Sequence, residues 1–201
     1  MKEKITGIIL AGGKSLRMGV DKAFIQFKNK ILIEHILDVS KNIFQEILIS
    51  ANDEKYLQFG LPLIPDIIPN HGPIGGIYSC LEASSNNFNI VLSCDTPFIS
   101  EELICFIIEN IEKKQIVVPA TENNLYEPLC AFYHKNTGPI LREFIDRDNN
   151  RIPDVFKVVD FKGLPVNSTC DFWHPNLFAN INSLTEFEKY SLIKNHNYGN
   201  L

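Results

Sequence analysis

LAGGKSLRMGVDKA, residues 10–23, follows directly on the apolar run ITGIIL at residues 5–10. The run is short and rich in β-branched side chains, which predicts a strand buried on both faces of a parallel sheet. Its continuation changes character at once. Ala11, Gly12 and Gly13 carry hardly any side chain, while Lys14, Arg17 and Lys22 are cationic. In an open α/β sheet, ligands bind beyond the carboxyl ends of the strands, where loops lead into helices. Glycines there let backbone N–H groups approach a ligand, and the cations can neutralise phosphate oxygens. Two common phosphate loops are excluded. A Walker A loop on Gly13-Lys14-Ser15 needs glycine at position 8, which is Ile8, and G-x-G-x-x-G fails because position 14 is lysine. Gly-Gly alone equally suits a strand–turn–helix corner with solvated lysines.

Outward from this stretch, strand-like and helix-like segments alternate for about the first 120 residues. Residues 46–51, 61–65, 89–94 and 116–119 are further short apolar runs. Between them, Ile33, Ile36, Leu37, Ile43 and Phe44 recur at helical spacing. Residues 100–113 open with Ser100 as an N-cap and with Glu101 and Glu102 in the first turn, where the helix dipole favours them. The β-α-β order predicts an α/β fold: a three-layer, mostly parallel, doubly wound, Rossmann-like sheet. Later segments are less regular. LYEPLCAFYH (125–134), KVVDF (157–161) and LFANIN (177–182) read as strands, TGPILREFID (137–146) reads as a helix, and a capping box at Ser183-Leu184-Thr185-Glu186 opens a last helix. No repeat or linker divides the chain, so one domain is expected over residues 1–201.

The composition narrows the class. With 201 residues, 45% hydrophobic and 21% charged, the chain suits one well-buried core. A net charge of −5 argues against a nucleic-acid or acidic-membrane binder, so an anionic ligand must be held by a local cluster. The 5 cysteines (Cys80, Cys94, Cys105, Cys130, Cys170) are odd in number and widely spaced, with no C-x-x-C pair, which predicts reduced thiols in the cytoplasm. The start MKEKITGIIL runs straight into a strand, so no signal peptide is expected, and no apolar stretch is long enough to span a bilayer.

The order L-A-G-G-x-S-x-R-M-G-x-D-K resembles the signature of the nucleotidyltransferases with a glycosyltransferase-A-like fold. Asp21-Lys22-Ala23, just behind Arg17-Met18-Gly19, is most similar to the molybdenum cofactor guanylyltransferases. The resemblance implies that Leu10, Ala11 and Gly12 cradle a guanine base, that Gly13 begins the phosphate path, and that Arg17 and Lys22 hold a triphosphate. Three later stretches agree with that family. Ser50-Ala51-Asn52 ends the second strand, where the resemblance puts an asparagine near base or ribose; Asn52 equally suits a helix cap before DEKYLQF. Ile64-Pro65-Asp66 precedes Gly72-Pro73-Ile74-Gly75-Gly76-Ile77, and in the family this aspartate meets the nucleotide; Asp66 could also be a turn residue. Ser93-Cys94-Asp95-Thr96-Pro97-Phe98 resembles the family's metal motif.

Asp95 also has a physical reading of its own. A carboxylate at the end of an apolar strand is badly placed for the core and well placed for Mg²⁺, which takes one or two protein carboxylates and completes its shell with phosphate oxygens and water. Cys94 has no His nearby in sequence and reads as a small packed residue. Ala179-Asn180-Ile181-Asn182 resembles the family's late N-x-N segment, which makes Asn182 a second metal ligand or, equally, a cap on the final helix. Phe172 and Trp173 suit packing better than stacking on a pterin, and Arg151, in a charged turn, could reach an anionic second substrate.

The resemblance thus implies GMP transfer from GTP to a molybdopterin-type cofactor, with Mg²⁺ (Mn²⁺ as alternative) on Asp95. The nucleotide part would be about residues 1–120 and the acceptor part about 121–201, with transient contact to cofactor-synthesis or acceptor proteins. A cytidylyltransferase or sugar-phosphate nucleotidyltransferase shares the loop, and a non-catalytic cofactor-delivery protein is the reading from another class.

Overall fold

The computed structural model describes residues 4–12, 21–121, 123, 125–181, 186 and 190. Strand β1 is Ile5–Leu10, and a short turn at Lys22–Phe24 leads into a small antiparallel pair, β2 (Gln26–Phe27) and β3 (Lys30–Ile31). Helix α1 (Leu32–Ile43), β4 (Glu46–Ser50), β5 (Leu63–Ile64), α2 (Gly72–Ala83), β6 (Phe88–Ser93) and α3 (Glu101–Glu109) follow. The later part holds β7 (Ile116–Ala120), β8 (Cys130–His134), α4 (Gly138–Asp146), α5 (Ile152–Val155) and β9 (Phe161–Pro165).

Among the described residues the main sheet has 7 strands in the order β5-β4-β1-β6-β8-β7-β9. Pairing is parallel throughout except on the two sides of β8. The strands have apolar residues on both faces because helices cover both. Ile9 and Leu92 face α1 and α3 through Ile33, Ile36 and Leu103, whereas Ile8 and Val91 face α2 and α4 through Ile77, Leu81 and Leu141. The three-layer, doubly wound expectation is met. Ser100 caps α3 through Leu103 N, as its sequence predicts. No helix among the described residues is long and apolar enough to cross a membrane.

Chain direction decides where the site lies. From β1 the chain passes through α1 to β4 on one side, then through β5 and α2 to β6 on the other. Strand β1 is therefore flanked by crossovers leading opposite ways, which leaves a crevice at its carboxyl end. At the opposite end, a part-buried polar network ties β1, β4 and the turn after α2: Thr6 Oγ1 donates to Glu46, and Ser84 Oγ lies 2.8 Å from Thr6 Oγ1.

Two expected strands are corrected. Residues 157–160 of KVVDF form a turn, with Lys157 N and Val158 N donating to Asp154 O and Val155 O, and pairing begins only at Phe161. Residues 177–181 of LFANIN pair with no strand and follow local turns, with Leu177 N on His174 O and Ala179 N on Asn176 O; Leu177 and Ile181 are nonetheless buried as plugs. The LYEPLCAFYH strand shortens to Cys130–His134, preceded by one bridge at Tyr126. The capping box falls largely outside the described residues.

Candidate active site

The carboxyl ends of three strands are level, since Leu10 pairs with Ser50 of β4 and with Ser93 of β6. A cleft lies over these ends. Leu10, Ala11 and Gly12 form its floor, with Asn52 beyond β4 and Asp95 beyond β6. Lys22 and Asp66 line it too, and the first turn of α2 closes one side. The seven described residues that the sequence nominates for the site (Leu10, Ala11, Gly12, Lys22, Asn52, Asp66 and Asp95) thus share one crevice. Gly13, Arg17 and Asn182 lie outside the described residues, as does Lys14.

The floor is built differently from the sequence expectation. Ala11 N and Gly12 N do not face a ligand: both donate to Ser50 O, at 3.0 and 2.9 Å. This fork draws β1 and β4 together past their last paired residues. The close approach, not a left-handed backbone, is what favours glycine, because a Cβ on Gly12 would lie 3.1 Å from Ala51 Cα and push that backbone away. Gly76 of α2 is tighter still, since a Cβ there would meet Ser50 Oγ at 2.5 Å and Leu10 Cδ2 at 3.3 Å.

The charged groups meet above this floor. Lys22 Nζ lies 3.7 Å from Asp95 Oδ2. Ser93 Oγ donates to Asp95 Oδ1 at 2.6 Å, and Asp95's own carbonyl accepts from Ile181 N at 2.9 Å. The carboxylate is therefore oriented by its own strand, and the backbone of residue 95 is tied to the late segment at Ile181. On the other side, Asn52 Nδ2 donates to Asp66 Oδ2 at 3.0 Å, and Asp66 N donates to Asn52 Oδ1 at 2.8 Å. This reciprocal pair rules out Asn52 as a helix cap; the following turn is capped by Asp53, which accepts from Lys55 N. It also holds the loop after β5 against the end of β4.

Cys94 is buried beside Asp95, and burial pushes its thiol well above the ordinary range, so it is a packed residue and not a nucleophile. Phe172 stacks obliquely on Phe106 at 5.3 Å and, with Trp173, packs on the core. Arg151 is exposed and lies 3.9 Å from Asp154, while its neighbour Asn150 bonds His71, the cap of α2, at 2.8 Å. Sequence reading missed Ser50, Ser93 and Tyr56. A serine ending an apolar strand is a weak signal for the first two; nothing in DEKYLQF singles out the tyrosine.

The MobA-like NTP transferase domain matches residues 7–159. The chain is 35% identical over 189 residues to a probable molybdenum cofactor guanylyltransferase from Clostridium perfringens (strain SM101), covering 92% of this chain and 95% of the relative. Its fold is similar to that of molybdopterin-guanine dinucleotide biosynthesis protein A from Archaeoglobus fulgidus, with a TM-score of 0.79 at 23% identity over 92% of this chain and 96% of that one. It is also similar to Rv0371C from Mycobacterium tuberculosis, solved in complex with manganese, with a TM-score of 0.66 at 12% identity over 92% and 97% of the two chains.

Proposed function

The chain belongs to the MobA-like NTP transferase family, and from that premise we propose that it transfers GMP from GTP to a molybdopterin-type molybdenum cofactor, releasing pyrophosphate. The observation that carries this reading is the meeting of Lys22 and Asp95, 3.7 Å apart, above a floor of nearly bare backbone. A cation and a strand-end carboxylate on one lip of a cleft are the charges that phosphoryl transfer needs.

A terminal phosphate oxygen of the acceptor attacks the α-phosphorus of GTP, and the bond from that phosphorus to the bridging oxygen of pyrophosphate breaks. The attacking oxygen is already anionic near neutral pH, so no general base is required. What the protein supplies is alignment and charge. Leu10, Ala11 and Gly12 seat the base, Asn52 and Asp66 the base or ribose, and Gly13 starts the phosphate path. Lys22 and Arg17 offset charge on the departing pyrophosphate.

Mg²⁺, or Mn²⁺ in its place, is the implied metal, with Asp95 as its carboxylate and Asn182 as its second ligand. No three His, Cys, Asp or Glu side chains gather into a metal cage among the described residues. That suits an ion which takes one or two protein carboxylates and otherwise phosphate oxygens and water. When bound it supplies Lewis acidity at the transferring group. We read residues 1–201 as one domain, with the nucleotide held by about 1–120 and the acceptor by about 121–201. A cytoplasmic setting is supported by the cysteines, all five of which are free thiols. The proposed partners are the two substrates and, transiently, cofactor-synthesis or acceptor proteins.

Pyrophosphate release measured with GTP, CTP and ATP, each with molybdopterin cofactor and with a sugar 1-phosphate, tests the reading. Turnover is expected with GTP and the molybdopterin acceptor, lost on chelation and restored by Mg²⁺. A preference for CTP would replace it with a cytidylyltransferase, turnover of the sugar phosphate with a sugar-nucleotide enzyme, and tight binding without turnover with a delivery protein.

A further inference from the structure

Tyr56 is 1% exposed and belongs to none of the motifs above, yet its hydroxyl reaches both ends of the loop that separates β1 from Lys22. It lies 2.8 Å from Ala11 O, where the chain leaves the sheet, and 2.8 Å from Asp21 Oδ2, where the chain returns. The other oxygen of Asp21 accepts from Ala23 N at 3.1 Å, capping the turn that carries Lys22. Lys55 Nζ adds an ion pair to Asp21 Oδ2 at 2.9 Å. The phenol has one proton for two acceptors, so it is shared between a backbone carbonyl and a carboxylate, of which the carboxylate is the stronger acceptor. The ring is fixed by Phe24, 5.1 Å away between centroids.

Ala11, Gly12 and Lys22 all line the cleft, whereas Tyr56 and Asp21 do not. The hydroxyl therefore sets the distance between the cleft's floor and its principal described cation without touching either ligand or metal.

We propose that Tyr56 is a positioning residue for nucleotide binding, acting through Asp21 and Ala11 to hold Lys22 in register with the floor of the cleft. The inference rests on the nucleotide-binding reading of the cleft. Its test is calorimetric titration of Mg-GTP into wild type, Tyr56→Phe, Asp21→Asn and the double variant, with Ser84→Ala as a control. Ser84 lies in the polar network at the far end of the sheet and reports a loss of stability alone. Tyr56→Phe keeps the ring and loses only the hydroxyl, and should weaken GTP binding about tenfold. Asp21→Asn keeps the cap but loses the charge, and should do the same. If the two act through one link, the double variant loses no more than the worse single one. The kcat of Tyr56→Phe at saturating GTP should fall as well, though less than that of Lys22→Ala, because the displaced lysine also acts on the departing pyrophosphate. Unchanged GTP affinity in Tyr56→Phe with a lowered Tm, as in Ser84→Ala, would overturn the inference, and so would fully additive losses. Failure of wild type itself to bind any nucleotide would instead remove the premise, and the inference with it.

Discussion

Ser93 Oγ occupies one oxygen of Asp95 and Lys22 faces the other, so the carboxylate is aimed before any ligand arrives. Its side chain adds little to the core, and the bond from Ile181 N goes to the backbone carbonyl, which any residue at 95 provides. Asp95→Ala should therefore fold with a near-normal Tm while nucleotide transfer falls at least about 100-fold. Asp95→Asn keeps the shape without the charge and should fall nearly as far. Mg²⁺-dependent turnover near wild type in either variant, read as pyrophosphate release, would contradict the assignment. Asp95 was legible in the sequence because a charged residue closing a run of apolar ones has no structural reason to be there. Tyr56 was not, because a buried tyrosine in a helical turn looks like any core aromatic until its hydroxyl is seen between Ala11 and Asp21.

Among the elements, the junction of β1, β4 and α2 depends on bare backbone. Gly76→Ala places a methyl 2.5 Å from Ser50 Oγ, and Ser50 is itself buried. We expect a loss of about 1–3 kcal/mol in chemical denaturation, together with weaker nucleotide binding, because Ser50 O organises Ala11 and Gly12. An unchanged denaturation midpoint would show that the serine side chain yields freely. The motif at Gly72–Ile77 was legible as a family resemblance, but nothing in it showed that Gly76 would lie against Ser50. Sequence periodicity failed where an edge strand had other duties. Strand β9 is FKGLP, and at Gly163 a Cβ would lie 2.9 Å from the ring of Tyr126, which would have to move aside. A strand with glycine at its middle and proline at its end shows no alternation, so the more apolar KVVDF was the better strand by pattern. The turn after α5 consumes those residues instead.

Over the whole molecule, the pH response should carry one unusual contribution. Glu127 stands in the turn before β8, and burial pushes its carboxyl up from 4.5 to about 7. The raised value means that the folded state favours the protonated form. The stability it contributes is present below about pH 4.5 and is lost as pH rises through 7. Glu127→Gln should leave Tm near pH 4 almost unchanged and raise it at pH 8 by about 2–4 °C; equal Tm values for wild type and variant at both pH values would refute this. The architecture itself was largely legible, because residues 5–120 alternate strand and helix signals in an order that suits a doubly wound sheet. The later residues were harder to read because their pairing is with distant strands and their turns are built from apolar plugs such as Leu177 and Ile181.

The sheet order holds a consequence for how the chain comes to be folded. Within the main sheet, strand β7 pairs only with β8 and β9, and both are made after it. When Ile116–Ala120 leaves the ribosome, neither of its neighbours exists, whereas β5, β4, β1 and β6 already have one another. A chain that folds as it emerges thus holds at this stage a four-stranded parallel sheet that ends on β6, whose middle residues Ile90, Val91 and Leu92 are apolar, with one side unpaired, while β7 has no strand to pair with. The antiparallel β8 ends that stage by sliding between the two, and until it does the molecule carries the kind of open apolar edge to which other chains adhere. Synthesis of Cys130–His134 is therefore the moment at which this protein stops being hazardous to itself.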